Sequence, residues 1–173
     1  MTKIILDTID STNEYAKQIV KDENENVLII ANNQTNGRGT HGRNWYSEEG
    51  QNILMSFLIK NIKDYKMLDG ITIKIGKIIH DVLSSKFDLN FEIKLPNDIL
   101  CNGKKICGIL CESSIVNDKV NYLIIGIGLN SNQTNFNNEI KEIATSLKNE
   151  LGYEIDKDEL ISIIHDKIEK LNF

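Results

Sequence analysis

The chain has 173 residues, 40% of them hydrophobic and 26% charged, which is enough for one domain with a buried core. Its 20 basic and 25 acidic side chains leave a net charge of −5, against the basic excess of a nucleic-acid binder. No apolar run reaches the ~18 to 20 residues of a membrane helix, and Met1-Thr2-Lys3-Ile4-Ile5-Leu6-Asp7 turns acidic too early for a signal peptide, so the expectation is a cytoplasmic protein with neither DNA nor membrane as partner.

In chain order, residues 3–7 read as a short strand. Ser11, with Glu14 three residues later, spells a capping box. A helix is expected from there to about Lys21, burying Tyr15, Ile19 and Val20. Residues 27–31 are continuously apolar, as in a central strand. A glycine-rich loop from Asn32 to Asn44 leads to a second apolar strand at residues 52–59. Leu68, Ile71, Ile75, Ile78, Ile79 and Val82 recur at helical spacing, predicting a helix from Met67 to Lys86. Residues 91–95 alternate as a strand bordered by Pro96. Residues 98–101 form the next strand, Asn102-Gly103 is a hairpin signal, and residues 104–112 return. Gly108 within that strand suggests a bulge or a close backbone approach. Asn117-Asp118 marks another hairpin, followed by a strand at residues 122–129. A short helix from Ala144 to Leu151 closes at Gly152. The last helix, Lys157 to about Leu171, buries Leu160, Ile161, Ile164 and Ile168. With no repeat and no linker, residues 1–173 read as one α+β domain: a mixed, mainly antiparallel sheet packed by helices.

Cys101, Cys107 and Cys111 are odd in number and lie in apolar, strand-like sequence, which fits reduced core thiols. His41, His80 and His165 are scattered and no Cys-x-x-Cys is present, so no structural zinc is expected.

The chemistry concentrates in Gly37-Arg38-Gly39-Thr40-His41-Gly42-Arg43-Asn44-Trp45. Glycine lets backbone approach a ligand closely, and successive free N–H groups make an anion-binding concavity. Arg38 and Arg43 supply planar forks suited to phosphate or carboxylate, and the Trp45 indole offers a face to a flat ring. The loop lacks the lysine of a Walker motif, and its literal Gly-x-Gly-x-x-Gly spacing is followed by a strand rather than a helix. It reads as a loop that wraps a nucleotide or another phosphate-bearing ligand. Ser11, Thr12 and Asn13 either cap a helix or face a polar ligand, and a helix N-terminus suits both roles.

In order, Ser11-Thr12-Asn13, Gln34-Thr35, the loop through Trp45, Lys94-Leu95-Pro96-Asn97-Asp98, the stretch from Lys104 to Glu112, and Gly126-Ile127-Gly128-Leu129-Asn130 closely resemble the catalytic domain of biotin protein ligases. The resemblance spans about residues 3–151. It implies a fold like that of class II aminoacyl-tRNA synthetases and biotin ligases. The implied activity uses ATP to turn biotin into biotinyl-5′-AMP and then transfers biotin to a lysine of a biotin carboxyl carrier protein. By the same resemblance, Arg38 and Arg43 handle phosphates and the biotin carboxylate, and Lys105 bridges that carboxylate and the α-phosphate as the catalytic lysine. Ser11, Thr12, Asn13, Gln34, Gly108 and Gly126 bind biotin. Gly39, Thr40, Arg43, Trp45, Asn97 and Asn130 bind the nucleotide, and Asp98 is the candidate Mg²⁺ ligand.

Three departures from the family pattern stand out. Thr40 replaces a loop arginine, which predicts a leakier adenylate. Leu95 replaces a tryptophan, expected as a conservative core change. Read over its 173 residues, the sequence is expected to carry neither the family's C-terminal β-barrel nor the DNA-binding domain of repressor-type members, so weaker ATP or carrier affinity and no direct transcriptional role are expected. Many members pair through an exposed sheet edge, so a homodimer stays open. The rival readings are a lipoyl or octanoyl transferase and a non-catalytic biotin- or adenylate-binding relative.

Overall fold

The computed structural model describes residues 1–117, 119–171 and 173. Its elements are β1 (Thr2–Ile9), α1 (Thr12–Ile19), β2 (Val27–Gln34), β3 (Ile53–Ile59), α2 (Ile71–Lys86), β4 (Phe91–Lys94), β5 (Asp98–Cys101), β6 (Lys104–Val116), β7 (Lys119–Leu129), α3 (Leu147–Leu151) and α4 (Lys157–Glu169). The strands form a seven-stranded sheet in the order β1-β2-β3-β7-β6-β5-β4. β1 and β2 are parallel, with α1 in the connection between them, and the other neighbouring pairs are antiparallel. This is the mixed, mainly antiparallel α+β sheet read from the sequence.

The unbroken apolar runs have a physical cause, because the middle of the sheet is covered on both faces. Along β2, Val27 and Ile29 join Ala16 of α1 and Val20 just beyond its end in one cluster. Leu28 and Ile30 point the other way, into a larger cluster with Ile75 and Ile79 of α2 and Ile161 and Ile164 of α4. Alternate residues serve opposite faces, so every residue of β3 is buried. Burying an isoleucine or leucine side chain contributes about 1.5 to 3 kcal/mol.

Several local readings change. Ser11 takes the N-cap place in extended backbone but makes no side-chain cap hydrogen bond. Its own N–H donates to Asp10 Oδ1 at 2.7 Å, and the Thr12 N–H donates to Gln34 Oε1 at 2.7 Å. The capping box therefore does not form, and Glu14 is free for other partners. Tyr15 and Ile19 are half-buried, whereas Ala16 and Val20 are buried. α2 begins four residues later than predicted. Tyr65–Leu68 is a separate 3₁₀ turn capped by Asp64, and Gly70 at φ 65° breaks the path. The apolar periodicity ran through this break because Met67 and Leu68 also pack on the core.

Asn102 and Gly103 both adopt positive φ, 49° and 80°, as a two-residue hairpin turn requires. The bulge falls at Ile106 rather than Gly108, since the β5–β6 register steps from Ile99 opposite Cys107 to Leu100 opposite Lys105. Asn117 has φ 50°, and the Asp118 half of the expected second hairpin turn lies outside the described residues. Leu95 is 65% exposed in the tight β4–β5 turn, so its expected core role is corrected. α3 starts at Leu147, three residues later than expected, because Ser146 serves as its N-cap and accepts the Asn149 N–H.

Among the described residues, no helix is long and apolar enough to cross a membrane, and no group of three or more His, Cys, Asp or Glu is placed to hold a metal ion. The cysteines are free thiols, with Cys101 and Cys107 buried. Burial pushes the Cys101 and Cys111 thiols up to about 11 and the Cys107 thiol up to about 12. A thiol whose folded pKa is raised stabilises the fold fully below its unfolded value, here 9.0, and that contribution is lost as pH rises through about 11 to 12. The melting temperature should fall above pH 9, and less steeply in Cys107→Ala. Equal slopes in the two proteins would refute this assignment.

Candidate functional site

The site lies where the sheet lacks side chains. Gly108 of β6 faces Gly128 of β7, and Leu110 faces Gly126. A Cβ on Gly128 would lie 2.5 Å from Trp45 Cε2, and one on Gly108 would lie 2.7 Å from Trp45 Cζ3. The indole therefore lies directly against the backbone of both strands. A Cβ on Gly126 would overlap Asn13 Oδ1. Close approach, rather than unusual backbone angles, is what excludes larger residues here.

One end of the site is polar. Ser11, Thr12 and Asn13 are nearly fully buried at the start of α1. Gln34, at the end of β2, accepts from both the backbone N–H and the hydroxyl of Thr12. Ser56 of β3 is fully buried, with Oγ 2.7 Å from Thr12 Oγ1 and 2.6 Å from Asn13 Oδ1. Asn13 Nδ2 donates to Leu110 O and to Glu112 Oε2, which turns its carbonyl oxygen toward Ser56. The sequence reading missed Ser56. The available signal was a lone hydroxyl in the run Ile53-Leu54-Met55-Ser56-Phe57-Leu58-Ile59, since a buried polar group implies partners.

The other end is charged. Lys105 Nζ is 2.7 Å from Asp98 Oδ1 and 5.4 Å from the centre of the Trp45 ring. The Asp98 oxygen makes no well-directed hydrogen bond, so its pairing with Lys105 is ionic. The glycine-rich loop folds back on itself: Gly39 N–H donates to Arg43 O, Trp45 N–H donates to Gly37 O, and Arg38 bridges Asn44. Arg38 Nη1 lies 3.3 Å from Glu14 Oε1. Arg43 instead donates to Thr40, from Nε to the carbonyl at 3.2 Å and from Nη2 to the hydroxyl at 3.0 Å. Lys17 sits between Glu14 and Glu112. Burial lowers its pKa, but hydrogen bonds to Glu112 and Glu14 outweigh this and leave it raised.

These groups line two adjoining cavities. The inner slot, about 40 Å³, brings together Ser11, Thr12, Asn13, Gln34, Arg38, Gly39, Thr40, Trp45, Asn97, Lys105, Gly108 and Gly126. The outer cavity, about 350 Å³, is lined by Gly39, Thr40, Arg43, Trp45, Asp98, Lys105 and Asn130 together with Lys94, Ile140 and Ile143. Every residue given a catalytic, binding or metal role from the sequence thus borders one cavity or the other, and Gly39, Thr40, Trp45 and Lys105 border both. Asn97 donates to Ile109 O, and Asn130 donates to Thr145 O. Among the described residues, Trp45 Nε1 and Asn130 Oδ1 are buried without a hydrogen-bond partner, which leaves one donor and one acceptor for a bound molecule.

Fold and site define an α+β domain in which a glycine floor, a lysine and an arginine loop converge on a slot with one polar and one charged end. The chain belongs to the biotin/lipoate A/B protein ligase family, whose model matches residues 5–130. It is 38% identical over 157 residues to a bifunctional ligase/repressor BirA of Bacillus spizizenii, an alignment covering 89% of this chain and 48% of that protein. A biotin–acetyl-CoA-carboxylase ligase of Paracoccus denitrificans is 28% identical over 90% of this chain and 66% of its own length. The solved structure of biotin protein ligase from Aquifex aeolicus in complex with biotin and ATP matches with a TM-score of 0.81 at 30% identity, covering 98% of this chain and 69% of that one. The chain spans about half the length of the BirA proteins that it matches.

Proposed function

We propose that this chain is an ATP-dependent biotin protein ligase. It activates biotin as biotinyl-5′-AMP and transfers biotin to a lysine of a biotin carboxyl carrier protein. The observation that carries the reading is the position of Lys105 and Arg38, which border the same slot as the buried polar set of Ser11, Thr12, Asn13 and Gln34. A ring urea needs donors and acceptors at one end of its site, and a carboxylate needs positive charge at the other. The outer cavity beyond Trp45 then takes the nucleotide, with Asn130 and Trp45 Nε1 available to the base. The names of the relatives support biotin over lipoate as the acid.

In the first step, a carboxylate oxygen of biotin attacks the α-phosphorus. The new P–O bond replaces the bond to the β-phosphate, and pyrophosphate leaves. Negative charge accumulates at one point, so fixed positive charge is the main lever the protein holds. Lys105 neutralises the meeting carboxylate and α-phosphate, Arg38 orients them, and Arg43 faces the nucleotide. In the second step, a neutral lysine amine of the carrier attacks the acyl carbon, the bond to AMP breaks, AMP leaves, and the nitrogen gives up one proton to solvent as the amide forms. Among the described residues, Asp98 is the one carboxylate lining either cavity. That donor set fits Mg²⁺ in the manner of sites that use one or two carboxylates plus substrate phosphates, and the ion would supply charge neutralisation. Arg38, Gly39, Thr40 and Trp45 of the glycine-rich loop form one wall of the narrow inner slot.

The test is biotin-dependent exchange of labelled pyrophosphate into ATP. Exchange that needs biotin, and that lipoate does not replace, supports the reading. Thermal protection by biotin without exchange would make the protein a non-catalytic binder, and protection by lipoate would point to lipoyl transfer.

Thr40 brings a separate expectation. Among the described residues its hydroxyl reaches only Arg43, and a threonine there places no cation at the turn of the loop. A charge-assisted hydrogen bond contributes about 1.5 to 3 kcal/mol, so Thr40→Arg should slow release of labelled biotinyl-5′-AMP by roughly tenfold or more. Equal release rates would refute the assignment.

A further inference from the structure

We propose that Glu14 is a positioning residue that acts through Arg38, holding the guanidinium at the slot while Lys17 and Glu112 brace the carboxylate from behind. The proposal rests on the ligase reading of the site. Arg38 stands on a glycine-flanked loop, its side chain is 50% exposed, and among the described residues its one ionic partner is Glu14. A long side chain on such a loop has rotamer freedom that must be given up on binding. Glu14 removes part of that freedom in advance, and its single contact to Nη1 leaves other N–H groups of the fork for a carboxylate or phosphate.

The carboxylate is itself held. Lys17 Nζ is 2.8 Å from the same Glu14 oxygen and 2.7 Å from Glu112 Oε1. Glu112 Oε2 then accepts from Asn13 Nδ2 at 2.8 Å. A chain of alternating charge thus runs Arg38, Glu14, Lys17, Glu112 and ends on the amide at the polar end of the slot. The three middle side chains are 22 to 30% exposed, so solvent screens them less than an open surface pair. This also gives Glu14 a job in place of the capping role that its spacing suggested.

The experiment is a double-mutant cycle on the full chain, with Glu14→Gln, Arg38→Ala and both together. Biotin-dependent pyrophosphate exchange gives kcat/KM, and calorimetry gives ATP affinity in parallel. Glu14→Gln should lower kcat/KM roughly tenfold in the Arg38 protein and change it about twofold at most in the Arg38→Ala background. Lys17→Met, which leaves Arg38 and Glu14 in place, should give a smaller loss in the same direction that Arg38→Ala also erases. Additive losses would show that Glu14 does not act through Arg38. A gain in ATP affinity in Glu14→Gln would show a carboxylate that competes with the ligand; either result overturns the proposal. If the wild-type protein gives no exchange, the ligase reading fails on its own, and the same cycle read by ATP affinity still decides the role of Glu14.

Discussion

Lys105→Ala is expected to lower kcat for biotin-dependent pyrophosphate exchange by roughly 10²- to 10³-fold, the usual cost of removing one preorganised donor from a site of developing charge. Two features of the site argue for the upper part of that range. Lys105 borders both cavities, so it stands where an acid in the slot and a nucleotide outside it must meet. Its removal also strands the Asp98 carboxylate, which is 2.7 Å away with a side chain only 16% exposed. An uncompensated, partly buried anion facing two incoming anions repels them as well as lacking its partner. Lys105→Ala should therefore raise KM as well as lower kcat. Adding Asp98→Asn to Lys105→Ala should recover biotin affinity but not turnover, because the repulsion of the acid is gone while the missing cation, and the carboxylate proposed for Mg²⁺, are still missing. Lys105→Arg should not rescue fully, since a planar fork is not a compact ammonium group. A Lys105→Ala protein that retains more than about a tenth of wild-type exchange would remove the lysine from the chemistry.

Gly128→Val is expected to abolish ATP binding and to lower the melting temperature by about 2 to 10 °C, from an overpacking cost of about 1 to 3 kcal/mol. The first added carbon alone would sit 2.5 Å from Trp45 Cε2 and 2.8 Å from Nε1. The three nearest atoms all belong to the Trp45 indole, a rigid ring that does not yield as the end of a flexible chain does. Trp45 must leave its place, and the wall shared by the two cavities leaves with it. Trp45 is the chain's single tryptophan, so its emission reports the displacement directly. Calorimetry with ATP, a melting curve and a fluorescence spectrum of one variant check the three parts of this prediction. Trp45→Ala in the Gly128→Val background should restore part of the melting temperature without restoring nucleotide binding. Unchanged emission and unchanged ATP affinity would mean that Trp45 does not form the wall.

Much of the fold was legible because it depends on neighbours along the chain. β2 and β3 announced themselves by unbroken apolar runs, α4 by Leu160, Ile161, Ile164 and Ile168 on one stripe, and the β5–β6 turn by Asn102-Gly103. In each case the local pattern and the final packing agree. The reading failed where a distant residue competed for a local group. Ser11 and Glu14 spell a capping box, but Arg38, from a loop distant along the chain, and Lys17 take the Glu14 carboxylate, and the Ser11 N–H goes to the neighbouring Asp10 instead. The start of α2 was misplaced because a 3₁₀ turn and a helix bury the same apolar stripe on either side of Gly70. Leu95 was expected inside because it stands where the family pattern has a tryptophan, yet a tight turn carries it outward.

The sequence by itself determined which residue types stand in which order, and so the family, the sheet class and the set of polar motifs, because these are properties of spacing along one chain. Only the tertiary structure decided that Ser56 belongs with Thr12 and Asn13, that Trp45 lies on Gly108 and Gly128, that Lys105 meets Asp98, and that Glu14 holds Arg38. Those relations join strands and loops far apart in the chain. Their energies depend on distance and burial in the folded state, and neither is written in the local sequence.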